Sequence, residues 1–275
     1  MLSGFLALLC LASPASARRL PVSSREMSAQ AAAALVRALE FGHRRLQLTV
    51  PQTPLVACAQ RLVHELEASG MRTRVFLSGI EAVDTWINSA RVGQPRCDVL
   101  GLGEAAVDDG AFLIVSPCNR PHPMSSVAFP DEPDAHTLDA VQMVLARARD
   151  RPVIMINADL EALVLHSHAV RPVRPMFMAD FEHAYYLATK LPSERSFGVG
   201  ECVAVLRAFP SDWEVFTSAT HHPNRAQPMK IVLKHRLKNK PPIADEMHTQ
   251  SSNRNLHAGP QSPTSVRNNV LKRKH

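Results

Sequence analysis

Between Ser23 and His166 the chain changes its hydrophobic period again and again, and this alternation limits the fold more than any other feature. Met27, Ala31, Leu35 and Leu39 recur at helical spacing after Ser23-x-x-Glu26, a capping-box pattern, and Gly42 is a natural stop. "RRLQLTVP" then alternates through Leu46, Leu48 and Val50, as a strand does. Thr53-Pro54 opens a second helix, with Leu55, Ala59, Leu62 and Leu66 on one face. "TRVFLS" reads as a strand, Ile80 to Asn88 as a short helix, and "CDVLGL" and "AFLIVSP" as two further strands. A helix from Asp134 to Ala148, a strand "PVIMIN" and a short helix from Leu160 to His166 complete the series. Short apolar strands separated by helices predict an α/β fold of three layers, a mostly parallel sheet with helices on both faces.

After Pro172 the period changes. "FEHAYYL", "ECVAVLRAF", "DWEVFTSA" and "QPMKIVLKH" follow one another with short polar or proline-containing connectors, and they predict a C-terminal antiparallel meander that extends the sheet. The first of these holds both tyrosines of the chain, Tyr185 and Tyr186, which a strand sends to opposite faces. Trp213 is expected to anchor the meander core.

Charge divides the 275 residues into three regions. Residues 1–23 read as a targeting segment: an apolar run from Phe5 to Ala12, then the small-residue pattern Ala15-Ser16-Ala17, then the basic, acid-free "RRLPVSSR". Such a signal-plus-transit leader directs proteins to the stroma of plastids bounded by extra membranes; secretion is the alternative. Residues 238–275 hold seven Lys or Arg against two acids with few large apolar residues, and are expected to be a disordered basic tail. The net charge of +6 therefore lies at the ends, and residues 24–237, one α/β domain, are slightly acidic overall. That argues against specific nucleic-acid binding, which needs a basic face. No segment after the leader has the length and apolarity of a transmembrane helix.

Ligands of open parallel sheets bind beyond the carboxyl ends of the strands. There, Asn119, Arg120 and Asn157 are the polar candidates for holding a small molecule or nucleotide. Asn157 serves equally to hold its turn, and Asp159 to cap the short helix expected after it. Cys118, with His122 and Arg120 near in sequence, has the residue types of a nucleophilic site, or of a proline-rigid loop with a buried thiol. "GLGEAAVDDG" has a G-x-G without the third glycine of the dinucleotide fingerprint, and no G-x-x-x-x-G-K-[ST] occurs. Cys58, Cys97, Cys118 and Cys202 are too scattered for zinc or a disulfide framework, and His166-x-His168 and His221-His222 lack companion ligands. No metal, cofactor or catalytic residue is expected. Glu182 and Tyr186 are candidates for a partner surface.

The order of several segments resembles a plastid domain family of plants, algae and the cyanobacterial lineage that has no defined biochemical activity. They are "QAAAALVRALEFGHRRLQLTVP", "FLIVSPCNRP", "RPVIMINADL", "FMADFEHAYYL" and "VAVLRAFPSDWEVF", with Ala158 standing where the family usually has proline. The family occurs alone in a chloroplast factor of the low photosystem II accumulation type, and fused to adenylate kinase in a plant chloroplast protein. The resemblance implies a plastid location and an auxiliary role in photosystem assembly, with thylakoid complexes or their assembly intermediates as partners. The lack of a motif with catalytic spacing makes a non-enzymatic binding protein the expectation, with an enzyme or small-molecule binder at the strand ends as the alternative. The resemblance carries no catalytic residues, and the kinase domain has no counterpart in this sequence.

Overall fold

The computed structural model describes residues 20–51, 55–89, 96–103, 108–119, 135–166, 169–189, 202–218 and 231–241. Five parallel strands, β1 (Arg45–Thr49), β2 (Thr73–Leu77), β3 (Arg96–Val99), β4 (Ala111–Val115) and β5 (Val153–Ile156), form one half of a sheet. Their spatial order is β1-β5-β4-β2-β3. A hairpin of β6 (Ala162–His166) and β7 (Ala169–Val173) stands apart as a separate two-stranded sheet. The expected short helix from Leu160 to His166 is therefore a strand. Beyond a 3-10 turn at Met176–Asp180, β8 (Glu182–Thr189) lies parallel to β1 on its free side. Antiparallel strands β9 (Cys202–Ala208), β10 (Trp213–Ser218) and β11 (Ile231–Leu237) complete a nine-stranded mixed sheet.

Helices cover both faces, as the alternation predicts. Helix α1 (Ser24–Glu40) starts where Ser23 Oγ accepts the Glu26 N–H at 3.2 Å, while the Glu26 carboxylate accepts the Val22 N–H at 2.9 Å. It packs with α2 (Leu55–Ala68) and Trp86 of α3 (Ile80–Ser89) on one face, over Leu46, Leu48, Val75, Leu113, Ile154 and Tyr185. Helix α4 (Ala135–Ala148) covers the other face through Val141 and Val144, over Phe76, Phe112, Ile114 and Met155. Among the described residues no helix is long and apolar enough to cross a membrane.

At the amino ends of β2, β3 and β4 an ion-pair network sets the register. Asp109 is fully buried and accepts from Arg74 Nε at 2.7 Å, and Arg74 also pairs with Asp98. Burial alone would depress the Arg74 pKa, but the two carboxylates hold it above its ordinary value. Arg96 and Arg72 meet Asp108 at the rim. Gly103 lies so close to Asp98 that a Cβ would sit 2.3 Å from the aspartate Cβ.

Strand β8 joins the two parts of the sheet. Leu48 opposes Tyr185 and Thr49 opposes Tyr186, with Ala184 bulged out of register. Tyr185 enters the α1 layer, where its hydroxyl donates to Gln30 Oε1 at 3.4 Å and burial raises its pKa. Tyr186 turns to the opposite face and packs with Trp213, ring centroids 5.1 Å apart.

Candidate functional site: the strand ends and a braced hairpin

Chain connections leave neighbouring strands β1 and β5 on opposite faces of the sheet. From β1 the chain enters α2 on the α1 face; from β5 it enters Ala158 and Leu160, which pack on the α4 face. Such a divergence opens a crevice at the strand ends of an α/β sheet. Here Asn157 stitches it shut. Its Oδ1 accepts the Val50 N–H at 2.8 Å, its Nδ2 donates to the Val50 carbonyl at 2.9 Å, and its own N–H donates to Leu48 at 2.8 Å. The residue holds φ of 50°, a left-handed conformation that asparagine tolerates better than most.

Asn119 makes the same kind of pair one strand further on. Its Nδ2 donates to the Glu161 carbonyl at 2.7 Å and its Oδ1 accepts the Glu161 N–H at 2.8 Å, so the side chain imitates a strand neighbour. Beside it Asp159 donates its N–H to Pro117 at 2.9 Å, and Cys118 and Asp159 form a parallel bridge. The loops after β4 and β5 thus converge, as a ligand site at the strand ends requires. Their asparagine amides, however, are bonded to the chain's own backbone. Arg120, the third candidate, and His122 lie outside the described residues, as do His168, His221 and His222 and the side chain of His166. Cys118 is in no disulfide and is exposed, not buried as the proline-rigid loop reading expects. Gly101 holds φ of 90°, and a Cβ built on it would lie 3.3 Å from the Ala140 Cβ of α4, so this glycine suits both its turn and packing against the helix.

Immediately beyond Glu161 the β6–β7 hairpin leaves the body, and both of its feet are fixed. The Asn119–Glu161 pair holds the outgoing foot; at the returning foot Arg174 donates to Gln47 Oε1 and to the Met178 carbonyl, both at 3.1 Å. The ribbon presents apolar side chains outward: Leu163 is 43% exposed, Val164 46%, Val173 40%, and Met176, just past the returning foot, 92%. Leu163 and Val164 are consecutive in a strand, so they face opposite sides. Residues 162–179 contain Arg171 and Arg174 and no acid.

Residues 21–245 match the family model described as a domain of unknown function (DUF1995). The chain belongs to this DUF1995 family. No curated protein and no solved structure matches it. The matched span takes in every element from α1 to β11, so hairpin and sheet are parts of one DUF1995 unit.

Two more features of the DUF1995 domain bear on the expected sites. Ser116, at the end of β4, has φ of 48°, and its buried Oγ makes no hydrogen bond. The partner-surface candidates meet a different environment. Tyr186 is 1% exposed, closed over by the Lys240 ammonium 5.4 Å above its ring and by the edge of His183. Glu182 is half-buried and paired with Arg207, whose guanidinium lies 5.3 Å over Trp213. Sequence spacing identifies the strand that carries these residues but not its cover, which comes from β9, β10 and the segment after β11. The hairpin escapes the same reading because its apolar run suits a short helix; His-Ser-His before the next apolar run is the available turn signal.

Proposed function

We propose that this DUF1995 chain is a non-enzymatic plastid protein that works by binding, as an auxiliary factor in the biogenesis of photosystem and thylakoid complexes. One observation carries the binding reading. The Asn157 and Asn119 side chains at the strand ends are engaged with the chain's own backbone, whereas the hairpin that Asn119 braces turns apolar side chains outward. Family membership, the likeness to the chloroplast factor of the low photosystem II accumulation type and the signal-plus-transit leader support the compartment and the role. A fluorescent fusion to Met1–Glu40 is expected to enter the plastid; appearance in the secretory pathway refutes the location. Affinity purification of the tagged chain is expected to retain thylakoid complexes or their assembly intermediates, and their absence refutes the role.

The Ser116 hydroxyl favours a second reading, a small molecule or nucleotide at the ends of β4 and β2. Strained backbone and an unbonded buried hydroxyl concentrate at ligand sites. A thermal-shift screen against nucleotides and phosphorylated metabolites tests it, because a ligand of the native state raises Tm, and Ser116→Ala should abolish that rise.

A further inference from the structure

We propose that β11 is an open edge that takes up an extended acidic segment of another polypeptide as a tenth strand of the sheet. This edge is independent of the hairpin and of the compartment proposed above. β11 ends the strand order and, among the described residues, its backbone bonds to β10 alone. Alternate residues of its seven therefore turn an unpaired N–H and C=O outward, along an edge of about 24 Å. Six of the seven side chains are exposed, among them Ile231 at 41%, Leu233 at 37% and Leu237 at 39%. Pairing with β10 sorts them by face. Leu233 opposes Phe216 and Ile231 opposes Ser218, so both lie on the α1 face beside a buried ring, where a further strand would continue the apolar row.

Charge decides the occupant. From Ile231 to Pro241 there are four Lys or Arg and no acid. Arg236 is paired with the buried Glu214 carboxylate at 3.2 Å, and Lys240 lies over the Tyr186 ring. Lys234 and Lys238 are exposed and, among the described residues, pair with no carboxylate. Lys234 is the extra residue of a bulge opposite Val215 and Phe216. Lysines and bulges on an edge oppose pairing with a like strand. If two copies joined β11 to β11 antiparallel over Ile231–Leu237, Lys234 would stand directly against its own counterpart, a destabilising pair. The same lysines attract a segment that alternates acidic with apolar side chains. Its backbone would supply the affinity and its side chains the selectivity.

Fluorescence anisotropy of a labelled synthetic peptide, glutamate alternating with valine over about nine residues, titrated with the full chain, tests the proposal. Saturable binding is expected. Lys234→Glu with Lys238→Glu should weaken it about tenfold. Arg25→Glu with Arg147→Glu, an equal change of charge on other exposed surface, should bind like the parent. Because both ends of the chain are basic, the decisive control is the same peptide N-methylated along its backbone. It keeps the charge, cannot pair as a strand, and should not bind. Amide exchange with the unmodified peptide bound should slow about tenfold in β11 and stay unchanged in α4. No saturable binding, equal binding of the N-methylated peptide, a charge-reversed variant that binds like the parent, or protection confined to other elements overturns the proposal. So does light scattering that shows a dimer which Leu233→Asp dissociates, since the occupant would then be a second copy. None of these readouts involves the hairpin or a thylakoid complex, so their failure leaves the proposed function standing.

Discussion

Asn157 replaces a pair of backbone hydrogen bonds that the diverging chains can no longer make to each other. Asn157→Ala leaves the buried N–H and carbonyl of Val50 unpaired and keeps a β-carbon at φ of 50°. A loss of about 2–3 kcal/mol in urea unfolding is expected. Asn157→Gly should lose less, because glycine accepts the backbone angle. The residue is visible in the sequence as either ligand or turn holder; a polar side chain directly after a buried strand does not say which, since both roles need the same amide. Cys58 gives a second residue-scale expectation. Burial pushes its thiol up to about 11 from an ordinary 9.0. A raised folded-state pKa means stability that is complete below pH 9 and is lost as pH rises through 11, on the order of 2 kcal/mol. Melting followed from pH 8 upward should show this decline, with Tyr185 adding to it and Cys58→Ala reducing it. In native alkylation exposed Cys118 should react before half-buried Cys97, and Cys97 before buried Cys58.

Elements with one buried stripe are legible in the sequence, and those that take their stability from elsewhere are not. α1 and α2 declare themselves through Met27, Leu35, Leu62 and Leu66, all of which are buried. β8 declares itself through the opposed tyrosines. The hairpin does not, because "ALVLH" is apolar without a clear period of two, and its partner strand contains Pro172. What makes it a strand is pairing with β7 and the bracing of its feet, neither of which leaves a mark in a local window. Asn119→Ala should therefore act on this element. Amide exchange at Asp159 and Glu161 is expected to accelerate by an order of magnitude or more while β4 and β5 keep their protection. Equal acceleration throughout the sheet would mean that Asn119 supports the whole fold.

For the whole molecule, the α/β class and the meander can be read from period changes, but the strand order cannot. Nothing local tells β1 to lie beside β5, or β8 to run parallel to β1. The order depends on long-range contacts such as the Arg74–Asp109 pair, which ties β2 to the foot of β4. Asp109→Ala would take its buried partner from the Arg74 guanidinium but leave it Asp98, and should cost about 2 kcal/mol, measured as a shift in the urea midpoint without loss of cooperativity. Trp213→Ala, which empties the space between Tyr186 and Arg207, should cost about 3–5 kcal/mol.

The position of α1 also has a meaning for synthesis. Besides α2, this first helix packs on β8 and β9, strands made more than 140 residues after it. A ribosome that has reached β5 has produced a helix whose buried face, Met27 to Leu39, has α2 and β1 to pack on but still lacks β8 and β9. Only when residues around Tyr185 and Leu206 emerge can the opening helix dock and the β1–β8 seam close. Closure of this face is thus tied to synthesis of β8 and β9, and a chain cut before Glu182 would keep α1 against α2 but leave the part of its apolar face that meets β8 and β9 open to chaperones and proteases.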